Sequence, residues 1–251
     1  MTSNMKFGLI GHPIEHSLSP ALFKAAYDGK YAYDLIEGED FETSYRRFAE
    51  EYNAINVTAP FKEPAFSKAD ILSEECKVTG ATNLLVKTPE GIKAYNSDFL
   101  GVRMWLSEVA EDLKGVKILI VGLGGAGKAA AAAAESLGME VIRMNRTVKD
   151  STTHPLDEFR QYFREADIII YNIPTAIPEL KELTESDFAA DRPKHILEAN
   201  YKDPSMAEIL KPFGSKAVYT GGRTWLLYQA VTGYEILTGE KPDLRRMSDV
   251  L

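Results

Sequence analysis

Six residues, Gly122-Leu123-Gly124-Gly125-Ala126-Gly127, constrain the fold of this chain more than any other stretch. They follow the apolar run Val116 to Val121 and lead into the alanine-rich segment Lys128 to Leu137. A continuous apolar run bounded by glycines reads as a central parallel strand, and the alanines read as a helix packed on it. The spacing G-x-G-x-x-G between such a strand and helix is what a dinucleotide pyrophosphate requires. Gly122 permits the tight turn, Gly124 lets the backbone approach the phosphates, and Gly127 lets helix and strand pack closely. The positive end of the helix then faces the phosphates. The same glycines could form a structural turn that binds nothing, but the flanking elements are those the motif needs.

The rest of the chain repeats the strand-then-helix rhythm. Strands are expected at Lys6 to Ile10, Tyr31 to Ile36 and Ala54 to Thr58, with a helix opening at Ser19-Pro20 and another from Phe41 to Tyr52. Ser19 fits the cap of the helix that Pro20 opens. Short strands at Ala81 to Lys87 and Gly91 to Tyr95 flank a Pro89-Glu90-Gly91 turn, and helical periodicity runs from Leu100 to Leu113. Beyond the glycine loop come strands at Val141 to Met144, Asp167 to Tyr171 and His195 to Glu198. Helices are expected at Leu156 to Arg164, Glu185 to Phe188 and Arg223 to Thr238. This is an α/β pattern. Its 251 residues fit either one large domain or two of ordinary size, and the two runs of strands and helices favour two. The expected division is 1–99 plus 223–251 for one, and 100–222 for a Rossmann-type dinucleotide-binding domain.

Bulk properties exclude several classes. The formal net charge of -8, from 29 basic and 37 acidic residues, disfavours nonspecific binding to nucleic acid or anionic lipid. The polar lead from Met1 to Asn4 runs directly into Phe7-Gly8-Leu9-Ile10, without the basic flank and long apolar segment of a secretion signal. Apolar runs are broken well before the roughly 20 residues of a membrane helix. The single cysteine, Cys76, excludes an intramolecular disulfide framework and reads as a buried, inert thiol. Together these point to the cytoplasm. Oligomeric state is not legible, and a homodimer is compatible with everything above.

At the strand end about 20 residues after the glycine loop, an NAD site usually carries an acidic residue for the ribose 2′-hydroxyl. Here stands Asn145-Arg146-Thr147. A guanidinium can grip a 2′-phosphate with forked donors, so the charge pattern favours NADP over NAD, although Asp150 close by opposes it. In the first half, three polar clusters follow or precede expected strand ends, where open α/β sheets place ligands. They are His16-Ser17-Leu18-Ser19-Pro20, Asn56-Val57-Thr58-Ala59-Pro60-Phe61-Lys62, and Asn83 with Asn96-Ser97-Asp98. Two hydroxyls near a helix start can donate to a carboxylate. Taken singly, each residue is more often a turn former, a cap or a solvated charge than a functional group, and His16 reads as structural.

At these residues the chain closely resembles the shikimate dehydrogenase family. That family's ordered pattern H-S-x-S-P, N-V-T-x-P-x-K, G-A-x-N and N-x-D-x-x-G stands here as His16 to Pro20, Asn56 to Lys62, Gly80 to Asn83 and Asn96 to Gly101. The glycine loop, Asn145 to Thr147 and the segment Gly222 to Ala230 continue the match over essentially the whole chain. The resemblance implies two α/β domains with a cleft between them and an NADP-dependent reduction of 3-dehydroshikimate to shikimate. It implies that Ser17 and Ser19 bind the substrate carboxylate, and that Thr58, Asn83, Asp98, Tyr201 and Gln229 contact the substrate. Lys62 and Asp98 would be the catalytic pair, titrating as a unit. Gly122, Gly124, Gly125, Ala126, Asn145, Arg146, Thr147 and Gly222 would contact NADP, and no metal is implied.

Some positions differ from the family pattern. Asp150 replaces a basic residue, Asn172-Ile173-Pro174-Thr175 stands where Asn-Ala-Thr is usual, Trp225 replaces a methionine, and Glu198 replaces an aspartate. Two other readings stay open. One is a quinate dehydrogenase that accepts NAD. The other is a noncatalytic cofactor or metabolite sensor, which would need neither Lys62 nor Asp98.

Overall fold

The computed structural model describes residues 5–148 and 150–251, so the Met1 to Asn4 lead lies outside the described residues. The chain divides into two compact units. One runs up to Gly101 and resumes at Gln229–Leu251; the other is Val102–Tyr228.

The first unit contains β1 (Lys6–Gly11), α1 (Ser19–Tyr27), β2 (Ala32–Glu37), α2 (Phe41–Glu51), β3 (Ala54–Val57), α3 (Lys62–Lys68), β4 (Ile71–Leu72), α4 (Glu74–Thr79), β5 (Leu84–Thr88) and β6 (Gly91–Tyr95). Its sheet has the order β2-β1-β3-β5-β6-β4. The first three strands are parallel and β5 pairs antiparallel with both β3 and β6. β3 is buried along its whole length, as a strand covered on both faces must be. One face packs Ile10, Ile36, Phe48, Ile55 and Leu85. On the other, the Phe23 ring lies 5.3 Å from Phe7 and 4.9 Å from Tyr234. Aspartate caps α2, with Asp40 accepting from Thr43 N at 2.8 Å.

Helix α5 (Ser97–Val109) leads into β7 (Lys117–Val121), α6 (Gly125–Ser136), β8 (Glu140–Met144), β9 (Thr153–His154), α7 (Phe159–Glu165), β10 (Ile168–Tyr171), β11 (Lys194–Glu198), α8 (Ala207–Leu210) and β12 (Ala217–Thr220). Then follow α9 (Gly222–Thr238) and α10 (Leu244–Ser248). The second sheet is wholly parallel, in the order β12-β11-β10-β7-β8-β9. Numbered from β7, this is the doubly wound 6-5-4-1-2-3 arrangement. The order reverses between β7 and β10, where such sheets bind dinucleotides beyond the carboxyl ends of the strands. Ile168, Ile169 and Ile170 of β10 are all buried. Each buried side chain of this kind contributes about 1.5–3 kcal/mol relative to exposure.

The α/β expectation holds in both units, and the differences are local. Ser19 is the first residue of α1 rather than its cap. Leu18 occupies the cap position, and Ser17 Oγ accepts the Ser19 N–H at 3.2 Å. Helix α6 opens at Gly125, ahead of Lys128, because the last motif glycines already lie in its first turn. The stretch expected as a helix from Glu185 to Phe188 is a 3-10 turn, Glu185–Asp187, closed by a reciprocal cap between Thr184 and Asp187. Strand β12 and the short helices α3, α4 and α10 carry too few residues for a periodicity to show. Among the described residues, no helix is long and apolar enough to cross a membrane.

Candidate functional site

Strand register gathers the clusters of the first unit. Ile10 pairs with Val57, Asn56 with Leu84, and Leu84 with Tyr95. The segments that follow β1, β3 and β6, and the residue that precedes β5, therefore leave the sheet at one edge. Ser17 and Ser19 come from the first, Thr58 and Lys62 from the second, Asp98 from the third, and Asn83 lies just before β5. A pairing that spacing alone does not dictate follows from this. Lys62 Nζ donates to Asp98 Oδ2 at 2.9 Å, with side-chain exposures of 32% and 13%. The carboxylate is largely enclosed while the ammonium can still be reached. Asp98 is held in the first turn of α5, where Asn96 Oδ1 accepts the Phe99 N–H at 3.2 Å and the helix dipole favours the negative charge.

Ser17 Oγ donates to Ser19 Oγ at 3.1 Å, so the two hydroxyls point to the same place. Thr58 is half-buried and its N–H donates to Ile10 O at 2.9 Å, continuing the β1–β3 ladder. Asn83 is buried, and its amide engages Ser97: Ser97 N donates to Asn83 Oδ1 at 2.7 Å and Asn83 Nδ2 to Ser97 Oγ at 3.0 Å. Ser97 Oγ lies 3.2 Å from Gln229 Oε1, which joins Gln229 to the group. Asn56 accepts a hydrogen bond from Tyr33 Oη at 2.8 Å, and Tyr234 Oη donates to Ser19 O at 3.1 Å. Burial pushes the hydroxyls of both tyrosines well above the ordinary phenol range. Tyr33 and Tyr234 carry no signal in the sequence, since each reads as an ordinary strand or helix residue, and Ser97 stands in the third polar cluster with no role assigned to it. His16 is exposed, as a structural role allows.

In the second unit, Gly122 has φ +87°, a left-handed conformation that favours glycine. A Cβ on Gly127 would collide with the Gly122 carbonyl oxygen, so the loop and α6 can meet only because position 127 has no side chain. Beyond the adjoining residues and the helix's own backbone, a Cβ on Gly124 or Gly125 would meet nothing within 4 Å. The N-terminus of α6 carries no side-chain cap and opens onto that space. An open backbone cradle at an uncapped helix start fits a pyrophosphate. Asn145 Oδ1 accepts from Leu123 N at 3.4 Å, tying the end of β8 to the loop. Arg146 and Thr147 are exposed beside it, and Ala126 is half-buried in the first helical turn. Asp150 is turned toward its own loop. Its Oδ1 accepts from Thr152 N, Thr152 Oγ1 and Thr153 Oγ1 at 2.9, 2.7 and 3.1 Å. The Thr152 hydroxyl is foremost among these in holding the carboxyl below its usual range.

Tyr201 is half-buried on the loop after β11. That loop is fixed by Asn200, whose Nδ2 donates to Pro174 O at 3.0 Å and Asp203 O at 2.6 Å. A Cβ on Gly222 would lie 2.6 Å from the Asn200 carbonyl carbon and 2.7 Å from Tyr201 N, so α9 can start here only with glycine. Asn172, at the carboxyl end of β10, has both amide atoms buried without a hydrogen-bond partner. Trp225 is buried in the first turns of α9. Among the described residues no group of histidine, cysteine and carboxylate side chains could hold a metal.

Residues 9–85 match the family model for the shikimate dehydrogenase substrate binding domain. Residues 91–197 match the model for the NAD binding domain of D-isomer specific 2-hydroxyacid dehydrogenases. The shikimate dehydrogenase (NADP(+)) of Natronomonas pharaonis is 31% identical over 264 residues, covering 98% of this chain and 97% of that protein. Its counterpart in Caldanaerobacter subterraneus is 30% identical, over 93% of this chain and 91% of the other. Among solved structures, shikimate 5-dehydrogenase from Thermus thermophilus in complex with NADP(H) and shikimate superimposes with a TM-score of 0.77. It is 25% identical, over 98% of both chains.

Proposed function

This chain belongs to the shikimate dehydrogenase family, and we propose that it catalyses the reversible, NADPH-dependent reduction of 3-dehydroshikimate to shikimate. The observation that carries the proposal is the Lys62–Asp98 ion pair, on the sheet edge to which the chain also brings Ser17, Ser19, Thr58 and Asn83. A binding protein needs no such proton-transfer pair.

Ser17 and Ser19 present two hydroxyls suited to the substrate carboxylate. Thr58, Asn83, Tyr201 and Gln229 are the further substrate contacts in this reading. In the reduction direction the Lys62 ammonium donates a proton from Nζ to the ketone oxygen as that oxygen gains negative charge. Asp98 holds the ammonium in place until then. In the oxidation direction Nζ receives the proton back. Bound NADP supplies the hydride acceptor or donor. For it, the backbone of Gly122, Gly124, Gly125 and Ala126 is suited to the pyrophosphate, and Asn145, Arg146 and Thr147 to the 2′-phosphate ribose. Gly222 completes the set. The substrate role falls to the unit that ends with Gln229–Leu251, and the cofactor role to Val102–Tyr228. A cytoplasmic location accords with Cys76, a free thiol pushed up to about 11 by burial.

The test is an initial-rate assay of purified protein following NADPH absorbance, with shikimate and quinate each offered against NADP and NAD. Turnover with shikimate and NADP is the expected result. No turnover in any combination, with protein shown to be folded, overturns the reading in favour of a noncatalytic sensor.

A further inference from the structure

We infer that Ser97 is a positioning residue that sets the hydrogen-bonding polarity of the substrate site through Asn83 and Gln229. The inference rests on the proposed reading that Asn83 and Gln229 face the substrate. Ser97 itself has no accessible surface, so it cannot touch a ligand.

The direction of the Asn83 bonds follows from one fixed donor, and that of the Gln229 bond from the oxygen end of its amide facing Ser97. A backbone N–H can only donate, and Ser97 N lies 2.7 Å from the Asn83 side chain, so the atom there is the oxygen Oδ1. The other end of that amide, Nδ2, then donates to Ser97 Oγ at 3.0 Å. Oγ, having accepted, has one proton left to give. Its acceptors are Gln229 Oε1 at 3.2 Å and Asn83 Oδ1 at 3.3 Å, and the latter already accepts the shorter backbone bond. The hydroxyl proton therefore goes to Gln229. With Oε1 turned to Ser97, the Gln229 amide presents its NH2 end in the other direction. A hydroxyl is the smallest side-chain group that can accept from one amide and donate to the next. The site is thus set to donate, which suits a ligand that offers hydroxyl or ketone oxygens as acceptors.

The packing leaves this arrangement little freedom. A Cβ on Gly233, one turn along α9 from Gln229, would come within 3.2 Å of both Cβ and Oγ of Ser97. Two elements far apart in sequence, α5 and α9, thereby hold the serine in one orientation.

Three variants test the inference: Ser97→Ala, Gln229→Ala and their combination, with steady-state kinetics for shikimate and for NADP. Gln229→Ala should raise the shikimate KM about three- to tenfold, the range for one lost hydrogen bond. Ser97→Ala should reproduce most of that rise, with kcat and the NADP KM within about twofold of the original. The double variant should be no worse than Gln229→Ala alone, because the serine acts through the glutamine. Gln229→Glu tests polarity directly, since it keeps an acceptor for Ser97 and replaces the outward donor by an acceptor; it should bind shikimate more weakly than Gln229→Ala. If Gln229→Ala leaves the shikimate KM unchanged, the substrate reading of this group fails. If Gln229→Ala raises it while Ser97→Ala lowers only the melting temperature, or if the two effects multiply in the double variant, the positioning role of Ser97 is overturned.

Discussion

Tyr219 Oη donates to Glu198 Oε2 at 2.6 Å, on a carboxylate with no accessible surface. Ser205 N, Ser205 Oγ and Met206 N complete its shell at 2.6, 3.1 and 3.2 Å. The glutamate thus closes the loop that carries Tyr201, gathering its far end and β12 onto the end of β11. Burial first, and then the bond to Glu198, push the Tyr219 hydroxyl well above the ordinary phenol range. Glu198→Gln would turn an amide NH2 toward groups that can only donate or that now donate to the carboxylate. It should lower unfolding stability by about 1–3 kcal/mol, read by denaturant titration. An unchanged midpoint would show that the shell contributes nothing.

In the proposed reading, turnover depends most directly on Lys62. Lys62→Ala should lower kcat by at least about 100-fold, the lower range for general acid–base help, with the shikimate KM changing less. Near-normal turnover in that variant would remove Lys62 from the proton step.

In the proposed reading, cofactor choice separates Arg146 from Asp150. Arg146 is exposed at the strand end, whereas the Asp150 carboxylate accepts three hydrogen bonds from Thr152 and Thr153 within its own turn. Arg146→Ala should lower kcat/KM for NADP by roughly 10- to 100-fold, the range for a lost charge-assisted bond, with little change for NAD. Asp150→Asn should change the NADP to NAD ratio by less than about threefold, because the charge is directed into its turn. A larger rise in that ratio would mean that Asp150 reaches the 2′-phosphate.

Acid sensitivity in the second unit should centre on Asp187. Its side chain has no accessible surface and takes hydrogen bonds from Arg160, Arg164 and Thr184. Burial works against the charged form, but the Thr184 backbone and both guanidinium groups outweigh it and hold the carboxyl at about 2. Because the folded value lies below the ordinary aspartate value near ~3.9, this carboxylate stabilises the fold above that pH. The contribution, about 2 kcal/mol, is lost as pH falls from there toward about 2. Asp187→Asn should flatten the acid limb of the stability profile, measured by unfolding at a series of pH values, and an unaltered limb would assign that limb to other groups.

The legibility of this protein divides by range along the chain. The glycine loop, its strand and its helix are legible because every constraint on them is local: buried β-branched residues before the turn, glycine where φ is positive, and helix formers after it. Asn145-Arg146-Thr147 is legible for the same reason, as the end of the next strand. The hydroxyls and amides of the first unit show their chemistry in the sequence, but not their grouping. Lys62 and Asp98 lie 36 residues apart, and no spacing rule brings them together.

What the amino-acid sequence determined by itself is the order of the longer strands and helices, the dinucleotide turn and the chemical types available at the strand ends, since each depends on neighbours within a few residues. The tertiary structure alone decided which of those side chains meet. Pairing of β3 with β5, and of β5 with β6, carries Asp98 to Lys62 and Asn83 to Ser97. The fold also decided that Ser97, which stands between two motif positions, links Asn83 to Gln229. Hydrogen bonds of that kind depend on distances of a few tenths of an ångström between distant segments, which only packing of the whole unit can set.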